Sequence, residues 1–390
     1  MKFATKQSAI LGAAFLMATS AIGPGFLTQT TVFTSQLLTS FGFVILISIL
    51  IDIGAQLNIW RVLTMSEMRA QDLANKLLPG LGHLLAGLIV LGGLAFNIAN
   101  MAGCGIGINV LTGINVEASA LISCVAALAL FWIKEFGSAM DIFTKVLGFI
   151  MIGLTLFVAI SSDPPLLETV HRSFIPEKID VVTIVTLVGG TVGGYISFAG
   201  AHRLLDAGIK GQENLPQINR SAVSGIVITG VMRTVLFLAA LGVVVGGGIL
   251  GDKNPAAAVF QIAAGNIGYK FFGVVMWSAA ITSVVGCAYT SVSFLRSLPM
   301  IEKYQRYVIS LFIIISTLGF LYLGNPVKLL LAAGTLNGFI LPVALAVILI
   351  AAHQKKIMGN YQHPRWMHIA GWCVVGVMSW MAVLTFLKVL

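Results

Sequence analysis

Apolar residues along this 390-residue chain neither alternate with polar ones nor form a one-sided helical stripe. They run in long blocks divided by short polar or proline-bearing breaks. A helix needs about 20 apolar residues to cross the roughly 30 Å of bilayer hydrocarbon. The blocks near 8–37, 41–62, 81–112, 117–134, 143–161, 181–201, 221–250, 269–295, 307–323, 328–352 and 367–387 meet that need and predict eleven transmembrane helices. The chain therefore reads as a single all-α membrane domain.

Two of the predicted spans carry helix-breaking clusters. Span one contains Ala21-Ile22-Gly23-Pro24-Gly25-Phe26, and span six contains Gly189-Gly190-Thr191-Val192-Gly193-Gly194-Tyr195. Proline removes a backbone donor and crowds the preceding turn, and glycine tolerates the dihedrals of an unwound segment. Within a bilayer the freed amides and carbonyls survive only against protein or a wet cavity. Spans one and six also open two sets of five helices, residues 1–161 and 181–352, with 367–390 as an added terminal helix. Discontinuous helices at equivalent places of two inverted repeats mark the substrate site of secondary transporters. Gly23, Pro24, Gly25 and Phe26, with Gly193, Gly194 and Tyr195, are thus expected to line that site. Close helix packing through small residues is the plainer reading of any one glycine pair, but it does not account for matched positions.

Composition agrees with the pattern. Hydrophobic residues make up 58% and charged residues 9%, with a mean hydropathy of +0.98. A soluble domain carries about 25% charged residues, so lipid has to be most of this chain's solvent. The net charge of +9 forms no basic run, which argues against a nucleic-acid partner. With the N-terminus cytoplasmic, 16 of the 23 Lys and Arg fall on the inner side, Lys2, Lys6, Lys134 and Lys145 among them; six fall outside and Arg233 lies within a helix. That asymmetry predicts a multi-pass inner-membrane protein with its C-terminus outside. The short basic start before residue 8 resembles a signal peptide, but the apolar stretch after it is too long, so it reads as a retained span. Cys104, Cys124, Cys287 and Cys373 sit in apolar stretches without ligand-like spacing. No nucleophile–base or metal constellation is evident, so neither an enzyme nor a cofactor is expected, and the chain is expected to act as a monomer or weak oligomer.

Asp52 is the one acidic residue placed near the middle of a predicted helix, and Arg233 is its basic counterpart at similar depth. Intramembrane charges are costly and tend to be paired or functional. The two read either as a structural ion pair or as a relay for a coupling proton. His202, just past span six, reads as a helix-end charge partner, with a gate or proton acceptor as the sharper alternative.

Several segments carry a resemblance that covers nearly the whole chain. Gln56 through Arg61 to Gln71-Asp72-Leu73-Ala74, then Ala95-Phe96-Asn97-Ile98-Ala99-Asn100 through Gly107-Ile108-Asn109-Val110-Leu111-Thr112-Gly113-Ile114, and finally Leu341-Pro342-Val343-Ala344-Leu345 are similar to the second, third and tenth helices of the NRAMP family of divalent-metal transporters. The resemblance implies the leucine-transporter fold, two inverted five-helix repeats plus a terminal helix, and metal-ion transport. The chain departs from the family where its metal chemistry sits. Gly23-Pro24-Gly25-Phe26 stands for the family's Asp-Pro-Gly-Asn, and Gly193-Gly194-Tyr195 for its Met-Pro-His after the shared Gly190-Thr191-Val192 lead. Gly334 stands for the glutamine of the tenth helix, and Asn97 and Asn100 for the proton-moving carboxylates of the third.

Transition metals are selected by sulfur, imidazole and a balancing carboxylate, and none remains at these positions. Two substrate readings stay open. A largely hydrated cation such as magnesium is one, held through water by Thr28, Gln29, Thr30, Asn97 and Asn100. The other is a small organic acid or amino-acid-like molecule, its carboxylate met by half-helix N-termini in a pocket shaped by Phe26 and Tyr195. Ile22-Gly23-Pro24-Gly25 is also similar to the Gly-x-Gly break of amino-acid transporters of that fold. A channel is the competing class, but the sequence supplies no charged pore rings.

Overall fold

The computed structural model describes residues 12–14, 17–18, 20–133, 151–251, 253–296 and 298–389. Its helices are α1 (Pro24–Leu37), α2 (Phe41–Ser66), α3 (Ala70–Leu77), α4 (Leu81–Thr112), α5 (Val116–Trp132), α6 (Met151–Ser161), α7 (Leu166–Phe174), α8 (Val181–Val192) and α9 (Ile196–Asp206). They continue as α10 (Leu215–Val245), α11 (Pro255–Ser293), α12 (Gln305–Leu323), α13 (Pro326–Ala351) and α14 (Arg365–Val389), with short helical turns at Pro299–Lys303 and Lys355–Met358. The described residues contain no strand. Lys2, Lys6, Lys134, Lys145 and the first part of the fifth predicted span lie outside the described residues.

Among the described residues, eight helices are long and apolar enough to cross a membrane, or nine when the bent pair α6–α7 is taken as one span. α1 and α2 run together as a 43-residue stretch, turned at Leu38, where φ is 51°. α5 has 17 residues and falls just short of a full span. The helix boundaries follow local chemistry. Proline opens α1, α11 and α13 at a first-turn position where its missing N–H is no loss. Asn115, Asp180, Asn254 and Asn325 cap α5, α8, α11 and α13 through their side chains. Gly113 closes α4 in the left-handed conformation that glycine adopts without strain.

Hydropathy misses the amphipathic α3 and α7, whose polar faces break the apolar runs, and it starts the seventh and eighth spans too late. α10 begins at Leu215 and α11 at Pro255, and α11 continues through a non-helical Gly265 at φ 63°. Burial is arranged inside out. Gln29, Asp52, Asn97, Arg233 and Asn337 are buried, while Leu50, Val125, Ile160, Leu167 and Ile267 are exposed, as lipid-facing residues should be. At the centre, α1 and α8 pack against each other, and α1 also meets α4, α10, α11 and α13. The three cysteines Cys104, Cys124 and Cys287 are buried and free, and Cys373 is exposed and free.

Candidate substrate site

Both sequence clusters break their helices. Helical structure ends at Ala21, Ile22 and Gly23 leave it, and α1 restarts at Pro24. The N-cap Gly23 offers no side chain to the new helix. Pro24 has no N–H, and the Leu27 N–H is taken by Gly23 O at 3.3 Å. Among the described residues, the Gly25 and Phe26 amides take no backbone acceptor, so they remain as first-turn donors. The second break lies between α8 and α9, where Gly193 is extended and Gly194 has φ +53°. A Cβ at Gly194 would fall 1.7 Å from Asn337 Oδ1, so only glycine lets α13 approach the break this closely.

A small enclosed cavity lies beside the first break. It is lined by Ser20, Gly23, Phe26, Gln29, Asn100 and Gly190, among others, and its roughly 10 Å³ is space for about one water centre. Gln29 is its best-fixed polar group. Its Nε2 donates to Leu330 O at 3.0 Å, while its Oε1, fully buried, has no hydrogen-bond partner. The amide is held between two glycines. A Cβ at Gly190 of α8 would fall 2.6 Å from Oε1, and one at Gly334 of α13 would fall 2.5 Å from Nε2. Gly334, expected from the resemblance to stand for the family's tenth-helix glutamine, faces the Gln29 amide of α1. Across the cavity, Asn100 is 5% exposed with Nδ2 unpartnered, and its Oδ1 lies 3.8 Å from where a Gly23 Cβ would be.

Of the residues singled out from sequence, Gly23, Gly25, Phe26, Gln29 and Asn100 line this cavity. The others are buried elsewhere. Pro24 packs onto Gly103 of α4. Thr30 turns its hydroxyl back to Phe26 O at 2.7 Å, and Thr28 is buried outside the lining. Asn97 donates to Ser316 Oγ of α12 at 3.1 Å. Gly193 and Gly194 pack on Asn337, and Tyr195 stands edge-on behind the lining residue Phe96, ring centroids 5.8 Å apart. Sequence reasoning missed Ser20, Phe96, Gly190, Leu330 and Asn337. Gly190 was quoted only as part of a motif, and nothing in the pattern places Asn337 opposite Gly194.

Arg233 and Asp52 lie behind the site. Arg233, 2% exposed, donates from Nη1 to Thr191 Oγ1 of α8 at 3.0 Å, and its guanidinium stacks over the Phe26 ring at 4.6 Å. It thus joins both broken helices from the side of α10. Asp52 is 1% exposed, with Oδ1 unpartnered. Asp52 and Arg233 are not among the ion pairs formed between described side chains.

The two ends of the core differ. At one end, Arg69–Asp206 at 2.6 Å and Lys210–Glu67 at 2.5 Å join the end of α2 and the start of α3 to the end of α9 and the loop after it. His202, expected at a solvated helix end, is instead buried there, because Phe198 and Phe294 enclose its ring and its Nε2 accepts the Ala70 N–H at 3.3 Å. At the other end a wider cavity of about 530 Å³ is lined by Val32, Gln36, Leu250, Asn325 and Lys328. Val32 and Gln36 continue the α1 face that bears Gln29. Among the described residues, no group of three or more His, Cys, Asp or Glu side chains gathers to hold a metal ion.

Comparison with known proteins accords with this architecture. The family model for natural resistance-associated macrophage protein-like (Nramp) proteins matches residues 14–388. The uncharacterized membrane protein YcsG of Bacillus subtilis is 58% identical over 385 residues, covering 98% of this chain and 95% of that one. Among solved structures, a mutant of the Eremococcus coleocola manganese transporter superposes with a TM-score of 0.75 at 17% identity, covering 97% of this chain and 86% of that chain. MhsT in complex with L-phenylalanine superposes at 0.66 with 13% identity, covering 97% and 98%. The fold is therefore of the leucine-transporter class, all-α and membrane-spanning, and the chain belongs to the Nramp family.

Proposed function

We propose that this protein is a secondary transporter that binds one small organic solute, an organic acid or amino-acid-like molecule, where its two broken helices meet, the one-water cavity of this state widening to admit it. The observation that carries the reading is the neutral lining of the enclosed cavity. Gln29 and Asn100 offer amides, the start of α1 offers backbone N–H groups, and the nearest stacked charge is the Arg233 guanidinium behind Phe26. A divalent cation leaving water here would meet no carboxylate, thiolate or imidazole in the lining, and unbalanced charge in such a site is costly. An acidic solute would meet donors and the positive end of α1.

Alternating access suits the difference between the two ends, one closed by ion pairs and one opened by a wide cavity above Gln29. With the basic-residue asymmetry, the wide cavity faces outward and the ion-paired end faces the cytoplasm. Asp52 is the group we assign to a coupling proton, with Arg233 transmitting its charge state to Phe26 and Thr191. Family membership supports a second reading, in which a divalent cation enters with much of its water shell and is held by Gln29, Asn100 and backbone carbonyls.

Uptake into proteoliposomes under an imposed pH gradient separates the two readings, using Mn²⁺, Mg²⁺, small carboxylates and amino acids. Saturable uptake of a carboxylate or amino acid without Mn²⁺ uptake is the expected result. Saturable Mn²⁺ uptake that Gln29→Ala abolishes would sink the organic-solute reading.

A further inference from the structure

The chain turns sharply at the end of α6. Ser162, Asp163, Pro164 and Pro165 follow that helix, with Asp163 at φ 47°, and α7 then sets off at 105° to α6. Two successive prolines cannot carry a helix onward. Since α6 is the described end of the fifth predicted span, a turn of that size lays α7 along the bilayer surface rather than through it. It does so at the end of the molecule where α1 finishes.

α7 has three flanks of different chemistry. At about 100° per residue, Thr169 and Ser173 share the inner one. Their hydroxyls turn back to Pro165 O at 2.8 Å and Thr169 O at 2.7 Å, and a Cβ on Gly42 of α2 would collide with Ser173 Oγ. Glu168 and Arg172 make a polar flank, where Arg172 pairs with Glu168 at 4.0 Å and with Glu177 of the following loop. The third flank carries Leu167, Val170 and Phe174, spaced as one helical stripe. All three are exposed, Leu167 by 91%.

The bend decides what covers that stripe. Phe157 and Ile160, exposed on α6, face acyl chains because they sit on a spanning helix, and the α7 stripe takes up that apolar surface just past the turn. A short helix with one apolar and one charged flank lies at the boundary between headgroups and acyl chains. α7 is also tied to both broken helices. The Glu177 N–H donates to Ser40 Oγ at 3.1 Å, in the turn that ends α1, and three residues later the Asp180 side chain caps α8.

We propose that α7 is an interfacial anchor whose partner is the phospholipid leaflet, with Leu167, Val170 and Phe174 sunk among the acyl chains. Through Ser40 and Asp180 the anchor holds the end of α1 and the start of α8 at a fixed depth. It goes beyond the choice of solute and holds for either substrate reading.

The test places a nitroxide spin label at Leu167→Cys, Phe174→Cys or Glu168→Cys in the full-length protein carrying Cys373→Ser, reconstituted in phosphatidylethanolamine–phosphatidylglycerol bilayers. Cys104, Cys124 and Cys287 are buried and do not compete for the label. Collisions with O₂, which concentrates in hydrocarbon, are compared with collisions with a water-soluble nickel chelate. O₂ should dominate at 167 and 174, and the chelate at 168. Chelate dominance at all three positions puts the stripe in water and overturns the proposal. Exclusion of both reagents at 167 and 174 means that a second copy of the chain covers the stripe, and overturns it equally. Hydrogen exchange reads the anchoring itself. Leu167→Glu/Phe174→Glu alters no buried side chain and should lose protection at residues 38–42 and 177–182 while α4 keeps its own. Protection unchanged at those residues, or lost equally in α4, removes the anchoring role.

Discussion

Gly190→Ala puts the Gln29 wedge under direct load. The three atoms nearest an added Cβ all belong to Gln29, Oε1 at 2.6 Å, Nε2 at 3.2 Å and Cδ at 3.3 Å. The backbone of α8 therefore need not move; the glutamine amide does. It leaves Leu330 O and swings into a space with room for about one water. Overpacking of this kind costs about 1–3 kcal/mol, and the stranded donor about 1–3 kcal/mol. Replacing a helical glycine by alanine returns about 1 kcal/mol, so a net loss of roughly 1–5 kcal/mol is expected. The informative variant is the double one, because Gln29→Ala removes the clashing atoms. Equilibrium unfolding in mixed micelles should then show Gly190→Ala/Gln29→Ala more stable than the sum of the singles by about 1–2 kcal/mol. Transport by either single variant should fall by about tenfold or more in kcat/KM. Additivity to within about 0.5 kcal/mol, or wild-type transport by Gly190→Ala, would refute the wedge.

Three further outcomes follow from other parts of the fold. Asp52→Asn should abolish pH-driven uptake while leaving solute binding measurable; unchanged pH-driven uptake would reduce Asp52 to a structural residue. Gly194→Ala should destabilise the protein by about 2–4 kcal/mol, through a left-handed alanine and the Asn337 Oδ1 clash at 1.7 Å, and Asn337→Ala in the same chain should recover only the clash. His363 lies in the loop before α14, in a directed chain of hydrogen bonds. Arg61 donates to Tyr361, Tyr361 OH meets His363 Nδ1 at 3.2 Å, and His363 Nε2 meets Asn58 Oδ1 at 2.7 Å. Burial, then the Arg61, His368 and His353 charges, lower its pKa from 6.5 to about 4. The folded state thus takes the proton later than the unfolded chain, so stability is full above pH 6.5 and is lost as pH falls toward about 4. Thermal unfolding at stepped pH should show His363→Gln losing less over that window than wild type; parallel curves would contradict the assignment.

Much of this was legible in the sequence because the bilayer leaves few choices. Apolar blocks of helix length, two glycine-rich interruptions and the spacing between them point to the class and to the place of the site. Gln29 and Asn100 were also legible as polar residues among apolar ones. Their neighbours Thr28 and Thr30 looked equivalent in sequence, but threonine in a helix turns its hydroxyl to a carbonyl one turn back, as Thr30 does. Asn97 faces α12 rather than the cavity, a matter of helix rotation that three residues of spacing decide but do not reveal. The burial of His202 depends on Phe294, which is distant in sequence, and the meaning of Gly190 and Gly334 depends on a side chain from a third helix. Such relations exist only once the helices are packed.

On the proposal above, the cavity beside the first helix break takes an organic solute and not a naked transition metal. Anomalous scattering at the manganese edge, from crystals grown with Mn²⁺, tests it at the atoms concerned. No anomalous peak is expected within the space bounded by Gly23, Gln29, Asn100 and Gly190. A peak there, ligated by Gln29 Oε1 and backbone carbonyls of the break, would contradict it.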